Sequence, residues 1–237
     1  LSGFYQDRGR YSEAGPLAKR ALASREKALG PEHLIVAQSL FSLANLYELQ
    51  NHYAHAQPLY KRSLEIKEKH LGTDHPDVAT NLSLLARVYH AQGRYAEAAP
   101  LYKRALIIRE KKYGPEHSLV ATNLYDLAKI FERQNRYDDA ETYYSRSLSI
   151  RKRTLGTETP AVAQVLSGLA SLYKLQGRFG KAEKYSRKSL TIYEKVDGPV
   201  HKAVADAVNL LARIYHNQGR YKDAEALYKR SLLIAEK

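Results

Sequence analysis

The chain has 237 residues, 44% of them hydrophobic and 27% charged, so it holds enough apolar material for a packed core and is not a disordered polyelectrolyte. It contains no cysteine, which excludes disulfides, thiolate zinc sites and cysteine nucleophiles, and no apolar run approaches the 18 residues of a transmembrane helix. The net charge of +13 favours acidic partners or nucleic acid.

The dominant feature along the chain is an internal repeat of 42 residues. Val36-Ala37 recurs four times at this spacing, and Leu43-Ala44 recurs in step with it. The repeats are predicted at 1–35, which is cut short because Leu1 falls inside a first helix, and at 36–77, 78–119, 120–161, 162–203 and 204–237. We expect residues 1–237 to form one solenoid domain, and the absence of any methionine indicates a segment of a longer protein.

Each repeat is predicted to form two helices. In residues 76–114, Pro76 suits a first helical turn, and apolar residues then follow at helical spacing on one face. The second helix opens at Tyr95 and closes at Gly114. The slot that ends each first helix holds only Gly or Asn, the residues that accept a left-handed C-cap conformation: Gly9, Asn51, Gly93, Asn135, Gly177 and Gly219.

Small residues recur where neighbouring helices must approach closely. Ala44 and Ala56 head two such columns, and a third holds Ser63, Ala105, Ser147, Ser189 and Ser231. One repeat cannot bury its apolar face alone, so we expect the copies to stack. The predicted fold is an all-α solenoid that forms a right-handed superhelix, with the first helices on its concave side.

This pattern resembles the tetratricopeptide repeat, in the 42-residue variant of kinesin light chains and of many bacterial multi-repeat proteins. The match rests on the small residue and the Tyr of the first helix and on the Ala and Tyr of the second. The resemblance implies a groove that binds an extended peptide. Kinesin light chains carry an Asn pair before the Leu-Ala, of which only Asn209 survives here, so a kinesin-type cargo is not expected.

The candidate binding residues are those on the first helices opposite the core stripe. They combine cations, which suit a carboxylate-bearing peptide, with aromatic rings that could hold an apolar side chain. The alternative is that they are ordinary solvated helix residues. The predicted peptide-binding set is Phe41, Asn45, Arg87, His90, Tyr125, Lys129, Lys174, Asn209, Arg213 and His216.

Two further surface patterns are interpreted as structural. Basic pairs such as Lys61-Arg62 recur on the second helices, which favours a solvated outer face over a nucleic-acid surface, although electrostatic binding of nucleic acid stays an alternative. His33, His75, His117 and His201 follow the turns between repeats, and copies of one loop residue cannot converge on a metal ion. They are therefore predicted to form turns.

The sequence predicts a protein-interaction scaffold that holds a protein or peptide, with acidic ligands favoured, in the concave groove. No phosphate loop or nucleophile motif occurs, so no enzyme activity, catalytic residue, metal or cofactor is expected. Self-association through the solenoid ends is an alternative function. With no transmembrane run and no signal peptide, the predicted location is cytoplasmic and not membrane-bound.

Overall fold

The structure, a computed structural model, describes residues 11–236, with side chains from residue 13 onward. This part of the chain folds into eleven helices and contains no strand. The helices are α1 (Tyr11–Leu29), α2 (Leu34–Leu49), α3 (Tyr53–Leu71), α4 (Pro76–Ala91), α5 (Tyr95–Tyr113), α6 (Ser118–Arg133), α7 (Tyr137–Leu155), α8 (Pro160–Leu175), α9 (Phe179–Asp197), α10 (Lys202–Asn217) and α11 (Tyr221–Ala235). The predicted bounds around Pro76, Tyr95 and Gly114 are confirmed.

The helices belong to two compact units. Unit 1 ends at Pro115 and includes α1–α5, and unit 2 begins at Glu116 and includes α6–α11. Within each unit the first and second helix of a repeat pack against each other, and each pair packs on the next pair along the chain. The all-α architecture of stacked helix pairs is thus confirmed, whereas one domain over 1–237 stays a prediction. The truncated first helix at Leu1 lies outside the described residues.

The turn inside each repeat is fixed by a residue with positive φ. Asn51 and Asn135 both have φ of 59°, and glycine takes this position in the other described repeats. The amide of Asn51 donates to the carbonyl of Glu48, and the amide of His52 donates to that of Tyr47, which satisfies two carbonyls at the helix end. The Gly/Asn prediction is confirmed at the five described positions, and Gly9 lies outside them.

The recurrent histidines begin the first helices. The Nδ1 atom of His75 accepts a hydrogen bond of 3.1 Å from the amide of Asp77, and His33, His117 and His201 make the same bond to the residue two places on. Each ring therefore satisfies one amide that the first helical turn leaves without a partner. Within residues 11–236, no three His, Asp or Glu side chains are placed to hold a metal ion.

The core is built where the two helices of a repeat approach each other. Ala44 and Ala56 are fully buried, and the hydroxyl of Ser63 donates to the carbonyl of Ala37 at 2.8 Å. The same bond recurs in the three repeats of unit 2, from Ser147, Ser189 and Ser231. A larger side chain at these positions would push the helices apart, so the predicted role of the small residues is confirmed.

The left-handed turn positions give a direct test of the repeat geometry. We expect Asn135→Ala to lower the free energy of unfolding by about 1 kcal/mol, because a Cβ-bearing residue without a compensating side chain is strained at positive φ. Asn135→Gly should leave stability unchanged, since glycine already occupies this slot in neighbouring repeats. Urea titration followed by circular dichroism measures both, and equal destabilisation by the two substitutions would contradict the assignment.

Candidate binding surface

The first helices of unit 2 form one continuous surface. Helix α8 contacts α6 on one side and α10 on the other, in addition to its own partner α9. We call the exposed side of these three helices the first-helix face of unit 2. It is defined by Tyr125, Lys129, Ser167, Ser171, Lys174, Asn209, Arg213 and His216. The corresponding first-helix face of unit 1 includes Phe41, Asn45, Glu48, Arg87 and His90.

A cavity of about 230 Å³ opens on the first-helix face of unit 2. Tyr125 and Lys129 both line it, and the Lys129 ammonium lies 5.8 Å from the centre of the Tyr125 ring. The ring of Tyr144 lies 5.6 Å from that of Tyr125 and forms the inner wall. The structure thus brings together two of the predicted site residues, an aromatic ring and a cation, in one open pocket.

Gly168 of α8 lines this cavity and lies directly against Tyr144. A Cβ at Gly168 would lie 2.7 Å from a carbon of the Tyr144 ring, which is far inside van der Waals contact. The close packing of Tyr144 on α8 therefore depends on this glycine, whereas Tyr60 and Tyr102 are equally buried in repeats that hold Leu84 and Asp126 at the equivalent position. The equivalent positions in other repeats hold larger residues, which are Ser42, Leu84, Asp126 and Leu210. The glycine at 168 is therefore the feature by which the sequence could have identified the site.

A half-buried glutamate accepts hydrogen bonds on each unit's first-helix face. In unit 2, Glu132 accepts hydrogen bonds from the Tyr144 hydroxyl at 2.9 Å and from the Ser171 hydroxyl at 3.0 Å. In unit 1, Glu48 accepts from Tyr60 at 2.9 Å and pairs with the guanidinium of Arg87. Burial, reinforced by the adjacent carboxylate, raises the pKa of Tyr144 far above its usual value, so the hydroxyl stays a donor.

Arg87 and Lys129 therefore have different surroundings, although they occupy equivalent positions. The guanidinium of Arg87 is about half exposed, but its charge is already paired with Glu48. Lys129 contacts the Tyr125 ring and has no ion pair with another residue of 11–236. Of these two predicted cations, only Lys129 offers an unpaired charge to a ligand.

Lys174 and Arg213 form the most cationic part of the first-helix face of unit 2. Burial, followed by the nearby positive charge of Arg213, lowers the pKa of Lys174, and Glu132 only partly opposes this. No hydrogen bond or ion pair joins either side chain to another residue in the described range. Two neighbouring cations whose charge a nearby carboxylate only partly offsets would be stabilised by an incoming anion.

A second-helix residue that the sequence analysis missed also reaches this surface. Arg151 is only 5% exposed, donates to the carbonyl of Ala161 at 2.6 Å and to Gln164 at 2.9 Å, and lies 5.1 Å from the centre of the Tyr125 ring. Its burial lowers the pKa of its guanidinium. Lys67, Arg109 and Arg151 recur at 42-residue spacing, and this recurrence of a basic residue could have identified the position from the sequence.

The remaining predicted residues are distributed over both units. Phe41 is half-buried, lies 5.6 Å from the Tyr60 ring and 4.2 Å from the Lys67 ammonium, and lines a separate cavity of about 410 Å³ in unit 1. His90 and His216 each contact the tyrosine that opens the following helix, at 5.6 and 5.3 Å. Asn45 is half-buried and Asn209 is exposed.

The basic pairs of the second helices are largely engaged within the fold. Arg62 pairs with Glu26 at 2.6 Å, and Arg104 and Arg230 pair with Glu68 and Glu194 in the same way. The lysine of the first pair, Lys61, lies 5.8 Å from the centre of the Tyr89 ring. These contacts tie neighbouring repeats together, so much of the outer positive charge is already balanced.

The fold and the repeat define a class of proteins built from stacked helix pairs. A model of the tetratricopeptide repeat matches residues 1–69, 56–111, 77–153, 131–195 and 161–237, which together span the chain. The chain belongs to the tetratricopeptide repeat family, as the resemblance predicted. A comparison with curated proteins finds no match.

Solved structures with similar folds include proteins related to kinesin light chains. BtubC (BKLC) of P. vanneervenii is 25% identical, with a TM-score of 0.73 over 96% of this chain and 89% of that one. A putative kinesin light chain of Podospora anserina is 24% identical, with a TM-score of 0.71 over 86% and 96%. The apo form of RapI is 15% identical, with a TM-score of 0.75 over 99% and 95%. In residues 11–236, no helix is both long and apolar enough to cross a membrane.

The close contact between Gly168 and Tyr144 predicts the effect of one methyl group. Gly168→Ala should lower the free energy of unfolding by about 1–3 kcal/mol, because the new Cβ must displace a buried ring. Gly180→Ala is the matched control, since a Cβ there meets nothing within 4 Å, and it should be neutral or slightly stabilising. Thermal unfolding of the two variants measures the difference, and equal melting temperatures would disprove the contact.

Proposed function

We propose that this chain is a protein-interaction scaffold that binds an acidic peptide segment on the first-helix face of unit 2. The observation that carries the proposal is the proximity of Lys174 and Arg213, whose side chains form no hydrogen bond or ion pair in the described part of the chain and whose positive charge Glu132 only partly offsets. A carboxylate placed between them would bind the fork of Arg213 and the point charge of Lys174.

The cavity at Tyr125 provides the second element of recognition. Its aromatic wall accommodates an apolar side chain, and Lys129 at its rim accommodates a further carboxylate. Recognition of alternating acidic and apolar side chains follows from this arrangement. A non-catalytic interaction role agrees with the general character of tetratricopeptide repeats. The proposal includes a cytoplasmic location and requires no cofactor, nucleic acid or membrane.

The proposal is tested with fluorescent 12-residue peptides that share one central phenylalanine and carry acidic, neutral or basic flanks. The acidic peptide should bind the wild-type chain most tightly in fluorescence anisotropy. Lys174→Glu combined with Arg213→Glu should weaken its binding at least tenfold, because two attractive charges become repulsive. Arg87 is left unchanged, since its charge is already paired with Glu48.

A charge-matched variant separates the site from the overall charge of the chain. Lys112→Glu combined with Lys222→Glu changes the net charge equally, and both lysines are exposed on second helices. This variant should bind the acidic peptide as the wild type does at 0.15 M salt. Equal loss of binding in both double variants, or no preference for acidic flanks, would contradict the proposal.

A second candidate function is self-association through α11. Leu232 is 59% exposed, whereas its equivalents Leu106 and Leu190 are 7% and 8% exposed. Tyr228 is 37% exposed, whereas Tyr144 at the equivalent position is 1% exposed. These side chains belong to the surface that other repeats use for stacking, so a second copy could cover them.

Light scattering across a concentration series tests this second candidate. The mass of the wild-type chain should rise above 26.9 kDa with concentration, and Leu232→Lys should hold it at the monomer value. Leu175→Lys is the control, because Leu175 is also half exposed but lies at the end of α8. A constant monomer mass for the wild type at all concentrations would exclude self-association.

A further inference from the structure

One repeat boundary in unit 2 departs from a charge pattern that other boundaries share. Arg62, Arg104 and Arg230 each pair with a glutamate 36 residues earlier. At the boundary between α7 and α9, the same two positions hold Lys152 and Lys188. The Glu–Arg ion pair is thus replaced by two lysines, and the attraction between neighbouring repeats becomes a repulsion.

At the two boundaries in unit 1 the arginine also contacts the loop between repeats. Arg62 donates to the carbonyl of Pro31 at 3.1 Å, and Arg104 donates to that of Thr73 at 3.2 Å. The equivalent loop residue at the lysine boundary is Thr157. Lys188 makes no such bond, and no hydrogen bond or ion pair joins the side chain of Lys152 or of Lys188 to another residue of the described range. This boundary therefore lacks the Glu–Arg ion pair of the other boundaries and the arginine-to-loop bond of unit 1, although Lys195 still pairs with Glu158 across it.

A cavity of about 530 Å³ lies at this boundary. Both lysines line it together with a third cation, Lys184, whose column elsewhere holds proline, threonine or alanine and never a charge. All three lysines are exposed, and Lys184 also lacks a partner within residues 11–236. The other charged residues of the cavity are engaged, since Arg187 pairs with Glu183 at 3.0 Å and Glu158 pairs with Lys195.

The remaining wall of the cavity is apolar. Leu148, Leu166 and Ile192 line it, and Tyr185 stands where four of the five equivalent positions hold leucine. The volume falls in the range of ordinary small-ligand pockets, which is roughly 300–1,000 Å³. Three unpaired ammonium groups beside an apolar wall would suit a ligand with a concentrated negative charge and an apolar or aromatic body.

The number of unpaired cations favours phosphate over carboxylate. Ammonium groups act as point charges that bind phosphate oxygens from several directions, and a phosphate ester carries close to two negative charges. A single carboxylate would leave most of the excess positive charge of the three lysines uncompensated.

We propose that the cavity between α7 and α9, lined by Lys152, Lys184 and Lys188, binds the phosphate group of a phosphate ester that has an apolar or aromatic body. The site is separate from the first-helix face and does not depend on the function proposed for it. A phosphorylated side chain of a protein and a small phosphorylated metabolite share this chemistry.

The chain itself supplies the variant that tests the proposal. Lys152→Glu combined with Lys188→Arg restores the residues found at the other boundaries and should re-form their ion pair. Because the restored pair attracts where two lysines repel, this variant should melt at or above the wild-type temperature. Loss of binding can then not result from unfolding. Lys222→Glu is the control, since it makes the same change in net charge at an exposed lysine of α11.

Isothermal titration calorimetry at 0.15 M salt should use two phosphorylated probes and their unphosphorylated forms. The probes are a nine-residue phosphotyrosine peptide with glycine and serine flanks, and ADP, compared with the tyrosine peptide and adenosine. At least one phosphorylated probe should bind tenfold or more tightly than its counterpart, and which one binds identifies the source of the phosphate. The Lys152→Glu and Lys188→Arg variant should lose this preference, and Lys222→Glu should retain it.

Two results would overturn the proposal. One is that neither phosphorylated probe binds better than its unphosphorylated form. The other is that the variant with Lys152→Glu and Lys188→Arg binds the phosphorylated probes as tightly as the wild type does. The variant with Lys174→Glu and Arg213→Glu should keep phosphate binding, which distinguishes this site from the first-helix face.

Discussion

The close approach of two helices within each repeat is the contact on which the rest of the structure depends. At Ser63, Ser147, Ser189 and Ser231 a buried hydroxyl donates to a carbonyl of the facing helix, and fully buried alanines surround the contact. Such a hydroxyl serves two purposes, because it is small enough for close packing and satisfies its own polar group. The orientation of each first helix, and hence of its exposed side, follows from this contact.

The fold could be predicted from the sequence because its determinants are local and repeated. The 42-residue spacing, the residues that cap the helices and the small residues at the helix contacts each recur several times. Each copy therefore supports the same prediction of two helices per repeat. The surface was less predictable, because its chemistry depends on partners far apart in the chain. Arg87 looked like a free cation, but its partner Glu48 lies 39 residues earlier. Arg151 was missed because it lies on a second helix, and only its length brings its guanidinium to the Tyr125 ring.

The repeats also serve as references for one another, so residues that break a column identify where the surface is specialised. Gly168 opens the cavity beside Tyr144. Ser186 stands where four other repeats have a tyrosine, and this serine is fully buried with a hydroxyl that has no partner within the described residues. On the second helices, Lys152 and Lys188 replace the Glu–Arg ion pair that joins neighbouring repeats elsewhere. All of these departures lie in unit 2, whereas unit 1 keeps the Glu48–Arg87 pair and the regular boundary contacts.

The arginines that follow the turn inside each repeat bear on how the chain loses its structure. The guanidinium of Arg220 stacks 3.7 Å from the centre of the Tyr215 ring and also pairs with Glu183 of the preceding repeat, and Arg178 does the same with Tyr173 and Glu141. These two turns are thereby bound to the helix pair before them, so α8–α9 and α10–α11 each depend on the preceding pair. Denaturation within this unit should then behave as a nearest-neighbour process, in which loss of structure in one helix pair destabilises the next.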